Sequence, residues 1–146
     1  MLKNYKNILV ALDGSKITDR VLDKAIDAAK RNQTHLDILN VLELKQFSDT
    51  YGNAISSDII YNLVEDTRKQ LANYKTRSEN AGLTDVSVHI RFGNPKTVIA
   101  QEFPKDHNNN LIIIGQTGLN ALERFMIGSV TSYVNRTAQC DVLIIK

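Results

Sequence analysis

The run Gly115-Gln116-Thr117-Gly118, nine residues, then Gly128-Ser129 brings bare main chain to a place where an anion can approach it. Glycine has no Cβ to hold a ligand away from the backbone. Leu111-Ile112-Ile113-Ile114, just before, reads as a buried parallel strand. Val130-Thr131-Ser132-Tyr133-Val134, just after, reads as the first turns of a helix. A helix start presents unpaired N–H groups and the positive end of a dipole. Strand, glycine loop and helix start in that order make a phosphate cradle, and nucleotide binding is the expected chemistry. No lysine follows the last glycine, and the loop does not follow the first strand. It is therefore neither a Walker A loop nor a dinucleotide fingerprint. Phosphate would be held by backbone N–H groups, the hydroxyls of Ser129 and Thr131, and the dipole. A positive φ is anticipated at Gly118. The plainer reading of the same residues makes Gly115 and Gly118 turn formers and Ser129 an N-cap.

Other polar residues carry weaker signals. Asp13 ends the first apolar run, where a carboxylate can accept from ribose hydroxyls or hold magnesium through water. It also suits a simple Asp13-Gly14 turn. Arg124 is long enough to meet a terminal phosphate and equally ordinary as a surface residue. Val41 can lie against an adenine ring or simply fill core. His35, His89 and His107 are far apart in sequence and fit no metal-ligand spacing. Asp106 to Asn110 reads as a solvated connection. No nucleophile stands beside a general base, so no catalytic residue is assigned.

The elements that must position these residues follow from hydrophobic period. Ile8–Leu12 is the first strand. Ser15 is the expected N-cap of a helix carrying Ile17, Val21, Ala25 and Ala28, closed by Asn32. Leu36–Leu42 is the second strand. Glu43 to Ser56 is a long polar connection, suited to a functional flap. Ile60, Val64, Thr67, Leu71 and Tyr74 mark a long helix that stops at Gly82. Val86–Ile90 alternates as a strand near a sheet edge. Asn94-Pro95 starts a helix with Val98, Ile99 and Phe103, ended by Pro104. Ser129–Gln139 is the last helix and Val142–Ile145 the last strand.

Strand and helix alternate throughout residues 1–146, with no break that marks a linker, so one domain is expected. The alternation predicts an α/β three-layer sandwich, a parallel sheet with helices on both faces. In such sheets ligands sit beyond the carboxyl ends of the strands, where strand order reverses. If strands one and four are neighbours, as in the order 3-2-1-4-5, Asp13-Gly14-Ser15 and Gly115–Gly118 meet at one crevice.

Composition narrows the function classes. The chain is 42% hydrophobic and 23% charged, with a net charge of +2. Acids and bases alternate, without the one-sided basic face of a nucleic-acid binder. No apolar stretch approaches the roughly 20 residues of a bilayer span. The first residues lead into only a short apolar run, so a cytoplasmic location is expected. The single cysteine, Cys140, excludes an intrachain disulfide and a multi-thiolate metal site and reads as a small core residue.

Ile8-Leu9-Val10-Ala11-Leu12-Asp13-Gly14-Ser15, the late Gly-x2-Gly-x9-Gly-Ser with Val130-Thr131, and a short terminal strand resemble the universal stress protein family over essentially the whole chain. The resemblance implies a five-stranded Rossmann-like sandwich of order 3-2-1-4-5 and a homodimer. It implies the family's ATP-binding branch, with magnesium or manganese as the accompanying ion. Adenine would lie near Val41 and Ala11-Leu12, and Asp13 would contact the nucleoside. Ile114, Gly115, Thr117 and Gly118 would line ribose and phosphates, and Gly128, Ser129, Val130 and Thr131 would form the phosphate-binding helix start. Three departures stand out. Gln116-Thr117 replaces a pair that more usually contains arginine or histidine. Asp141 stands where a proline often precedes the last strand. The Glu43–Ser56 connection is a variable region suited to partner specificity, with the protein partner unknown.

The last strand also has a physical reason to pair with a second copy. Val142–Ile145 would otherwise leave an apolar strand edge with open backbone groups, and a symmetric contact hides both edges. The function expected is a nucleotide-dependent signalling module in stress response. A slow ATPase and a dimeric stress protein with no nucleotide are the alternatives.

Overall fold

The computed structural model of the chain describes residues 4–43, 57–118 and 126–146. Five strands form one sheet: β1 (Asn7–Ala11), β2 (His35–Leu42), β3 (Val86–Phe92), β4 (Leu111–Gly115) and β5 (Asp141–Ile145). Their order is β3-β2-β1-β4-β5, and every pair is parallel. The helices are α1 (Thr18–Asn32), α2 (Ser57–Asn80), α3 (three pieces: Pro95–Thr97, Val98–Glu102 and Phe103–His107) and α4 (Ser129–Thr137).

Strand alternation sends successive side chains to opposite faces, and both faces are apolar, as a sheet covered on two sides requires. On one face Ile8, Val10, Ile38 and Ile113 pack with Val21, Leu22 and Ala25 of α1 and with Leu71 and Tyr74 of α2. On the other, Leu9, Leu39 and Ile112 pack with Ile99 and Phe103 of α3 and Val134 of α4. This is the three-layer α/β sandwich with order 3-2-1-4-5. The order reverses between β1 and β4, and Ala11 lies level with both Leu39 and Ile114. The carboxyl ends of β1, β2 and β4 therefore open side by side.

Three local expectations are corrected. Ser15 does not cap α1: the N-cap is Ile17, without a side-chain hydrogen bond, and Ser15 instead contributes its carbonyl to the Thr18 N–H at 3.1 Å. Asn32 is the last residue of α1, and Gln33 takes the left-handed closing position at φ 51°. Pro104 does not end α3. A π-turn over Val98–Glu102 shifts the bonding by one residue, so that Phe103 N–H donates to the Val98 carbonyl. That slip absorbs a proline that has no N–H to give and would crowd a regular helix. The helix runs on to His107, closed by left-handed Asn108 at φ 56°. Strand and helix ends otherwise differ from expectation by one or two residues: β3 extends to Phe92 and α4 stops at Thr137.

The 106–110 segment is not a solvated connection. Asn110 Oδ1 accepts the Lys6 N–H at 3.0 Å. Asn109 is buried, and its Nδ2 donates to Asp37 Oδ2 at 3.0 Å. Asp37 is itself buried in β2 and collects two histidines, His35 two residues before it on the same strand and His89 from β3. His35 Nε2 lies 2.9 Å and His89 Nε2 2.8 Å from Asp37 Oδ1. The other ring nitrogen of His35, Nδ1, lies 2.6 Å from Asp85 Oδ1. A carboxylate can only accept, so both His35 nitrogens carry protons and the ring is a cation. Burial opposes that charge, but the hydrogen bonds to Asp85 and Asp37 raise the His35 pKa overall. Burial likewise pushes Asp37 up, yet hydrogen bonds from His89, Asn109 and His35, with the His35 charge, hold its carboxyl down at about 2. A buried acid thus remains ionised because its acceptor oxygens are satisfied.

Candidate nucleotide crevice

A cavity of about 1020 Å³ opens at the carboxyl ends of β1, β2 and β4. Of the residues assigned to a nucleotide from the sequence, Ala11, Leu12, Asp13, Val41, Ile114, Gly115, Thr117, Gly118, Gly128, Ser129, Val130 and Thr131 line it. The sheet order brings the β1 and β4 ends together, and the loop after β4 returns to start α4 against them.

The Asp13 carboxylate is fixed on one side, and its other oxygen accepts no hydrogen bond among the described residues. Its Oδ1 accepts the Ser15 N–H at 2.9 Å. Gly14 makes that turn possible by adopting φ +78°, a left-handed conformation unfavourable to residues with a side chain. The second oxygen faces the loop after β4: a Cβ on Gly118 would lie 2.5 Å from Asp13 Oδ2. Gly118 does not have a positive φ, contrary to expectation. Glycine is required there by the close approach of Asp13, not by backbone strain. At Gly115 a Cβ would meet Ile17 Cδ1 at 2.5 Å and Val21 Cγ2 at 3.2 Å, so that glycine serves the packing of α1 on β4.

The start of α4 is uncapped. Its N-cap is Gly128 in extended conformation, with no side-chain hydrogen bond. The Gly128 N–H is already used, donating to the Gln116 carbonyl at 2.8 Å. The N–H groups of Ser129, Val130 and Thr131 occupy the first turn, where a helix supplies no carbonyl partner. Ser129 is thus the first helical residue and not the cap. Thr131 plays a different part from the one expected of its hydroxyl. It is buried, and Oγ1 donates to the Gly115 carbonyl at 2.6 Å. Its proton ties α4 to the end of β4 and is not available to a ligand.

Some of the cavity wall was missed in the sequence. Asp66, Thr67 and Gln70 of α2 face it, as do Asn40 of β2 and Thr18 of α1. The Thr18 hydroxyl is buried with no partner among the described residues. The available signal was Thr67 interrupting the apolar stripe of α2, with Asp66 and Gln70 on either side. Met126 and Ile127 line the same cavity yet remain about half exposed, at 53% and 52%. Arg124, and all of the Glu43–Ser56 connection except Glu43, lie outside the described residues.

Among the described residues no helix is long and apolar enough to cross a membrane. The chain matches the universal stress protein family over residues 4–146. A universal stress protein of Staphylococcus epidermidis is 36% identical over 143 residues, covering 98% of this chain and 85% of the relative. The fold is also that of a universal stress protein crystallised in complex with cAMP, with a TM-score of 0.76 and 23% identity over 99% of each chain. It is shared as well by a universal stress protein from Archaeoglobus fulgidus in complex with dAMP, with a TM-score of 0.70 and 22% identity over 99% of this chain and 100% of that one. With sequence, fold and crevice in agreement, the chain belongs to the universal stress protein family.

Proposed function

We propose that this chain is a nucleotide-responsive binding module of the ATP-binding branch, taking ATP across the crevice between β1 and β4. The observation that carries this reading is the start of α4, which has no side-chain cap among the described residues and whose first-turn residues Ser129, Val130 and Thr131 line the same cavity as Asp13, Val41 and the Gly115–Gly118 loop. In this reading the phosphates rest on the N–H groups of Ser129, Val130 and Thr131 and against Gly118. The free oxygen of Asp13 accepts from the ribose hydroxyls. Val41, Ala11 and Leu12 flank the adenine. Magnesium or manganese travels with the phosphates, whose oxygens are its main ligands. The ligands of the cAMP- and dAMP-bound relatives share the adenine, sugar and phosphate that this crevice would meet.

Titration calorimetry with ATP, ADP and AMP in the presence of magnesium tests the reading. ATP is expected to bind at one site per chain, and phosphate release to run far below the roughly 1–10³ s⁻¹ of ordinary enzymes. Failure of all three nucleotides to bind would overturn it.

We also infer a homodimer through β5. This strand lies at the edge of the sheet, and Leu143 is 42% exposed on it. Pairing with the same strand of a second copy would join two sheets and satisfy both open edges. Light scattering at micromolar concentration is expected to give the mass of two chains. The mass of one chain would remove the dimer from the proposal.

A further inference from the structure

We propose that Asp37, His89 and His107 form a site for one divalent transition-metal ion of the zinc class, at the end of the sheet opposite the glycine loop. Each residue offers one ligand atom, and the three atoms lie within 4.8 Å of one another. A zinc-class ion binds imidazole nitrogen and carboxylate oxygen at about 2.0–2.2 Å, which sets ligand atoms a little over 3 Å apart. The Asp37 and His89 atoms are already 2.8 Å apart. Closing the third corner needs a small movement of His107, the last residue of α3, beside the left-handed Asn108.

The ligand atoms are held or free in the pattern that coordination needs. His107 makes no hydrogen bond through its ring nitrogens among the described residues. Its ring stacks on Phe103 at 4.0 Å between centroids, and the His89 ring stands edge-on to both, 4.9 Å from Phe103 and 4.8 Å from His107. Asp37 is oriented from outside the site by Asn109 Nδ2 on its second oxygen and by His35. Metal sites rely on such outer hydrogen bonds to aim their ligands.

A second observation points the same way. Asn109 Oδ1 is buried and has no hydrogen-bond partner among the described residues. Reversing the amide does not help, because it would place that oxygen against Asp37 Oδ2 in place of the donating Nδ2. An acceptor in that position is satisfied by a cation, by a water bound to one, or by a buried water alone. Two imidazoles and one carboxylate select zinc, cobalt, nickel or copper over magnesium and calcium, which prefer all-oxygen sets. Coordination through His89 Nε2 takes the neutral ring with its one proton on Nδ1, so the present contact with Asp37 would be replaced by bonds from both atoms to the ion. The ion would join β2, β3 and the end of α3 at one point.

The test uses the full chain, stripped with chelator and free of nucleotide, titrated with Zn²⁺ by calorimetry and with Co²⁺ by visible absorption. One ion per chain is expected, without a thiolate-to-cobalt charge-transfer band and with full affinity in Cys140→Ser. His107→Gln and His89→Gln should each weaken binding at least about tenfold. His107→Gln breaks no hydrogen bond among the described residues, so it tests coordination in a folded chain. No saturable uptake by the unmodified chain, or binding as tight as the unmodified chain's in both histidine variants, would overturn the site.

Discussion

Gly118→Val is expected to lower nucleotide affinity by at least about 100-fold, or about 2.7 kcal/mol, while leaving the chain folded. The effect has two parts in one place. The new Cβ would fall 2.5 Å from Asp13 Oδ2, so the carboxylate must leave the position from which, in the proposed complex, it would meet the sugar. The branched side chain also enters the space in which phosphate approaches the α4 start. Gly118 is not in the left-handed region, so the substitution adds no backbone strain there and the fold tolerates it. Calorimetry on the variant, with circular dichroism as the check on folding, reads the two consequences separately. Unchanged affinity would place the nucleotide elsewhere. Asp13→Ala, which removes one contact and keeps the cradle, should cost less.

Phe103→Ala is expected to destabilise the chain by about 3–5 kcal/mol, the range for removing a large buried ring and leaving a cavity. Phe103 is fully buried and lies within the apolar cluster that joins α3 and α4 to the sheet. Its ring supports His89 and His107, and Arg91 sits 5.1 Å from its centre. Truncation therefore loosens apolar packing and the polar network around Asp37 together. Against a typical total of about 5–15 kcal/mol, this is a large share. The melting temperature should fall by on the order of 10 °C. A fall of a degree or two would mean that neighbouring side chains close the gap. The crevice is at the other end of the strands, so nucleotide affinity measured well below the transition should be kept.

The two ends of the sheet differed in how readable they were. The crevice was legible because its parts are contiguous runs. Leu111–Gly115 announces a buried strand, the glycines announce close approach, and the residues after Gly128 announce a helix start. Alternation gave a parallel sheet covered on both faces, while the order 3-2-1-4-5 rested on the resemblance to the universal stress protein family. The Asp37 network was not legible from spacing. Asp37 meets His89 only because β2 and β3 pair with Asp37 level with Ser87 and Leu39 level with His89. Asn109 arrives from a point in the chain 72 residues away. Such register is fixed by packing and leaves no periodic trace. One trace did exist: an aspartate in the middle of His35–Leu42, an otherwise apolar buried strand, must find partners or unfold it. Ser15 and Pro104 misled for a related reason. Each has a strong local preference, and tertiary geometry overrode it, in one case through the Asp13 turn and in the other through the π-turn.

That π-turn acts as a phase setter. Each residue of an α-helix advances the side-chain azimuth by about 100°, so the additional residue held within Val98–Glu102 decides where everything after it faces. Ile99 and Phe103 lie in one apolar layer across this stretch, and His107 follows on the side of His89. Excising one residue from this stretch would rewind the helix to regular pitch, swing His107 away from Asp37 and drive the Pro104 ring into the preceding turn. The irregularity in α3 is what aligns its two halves with the sheet beneath.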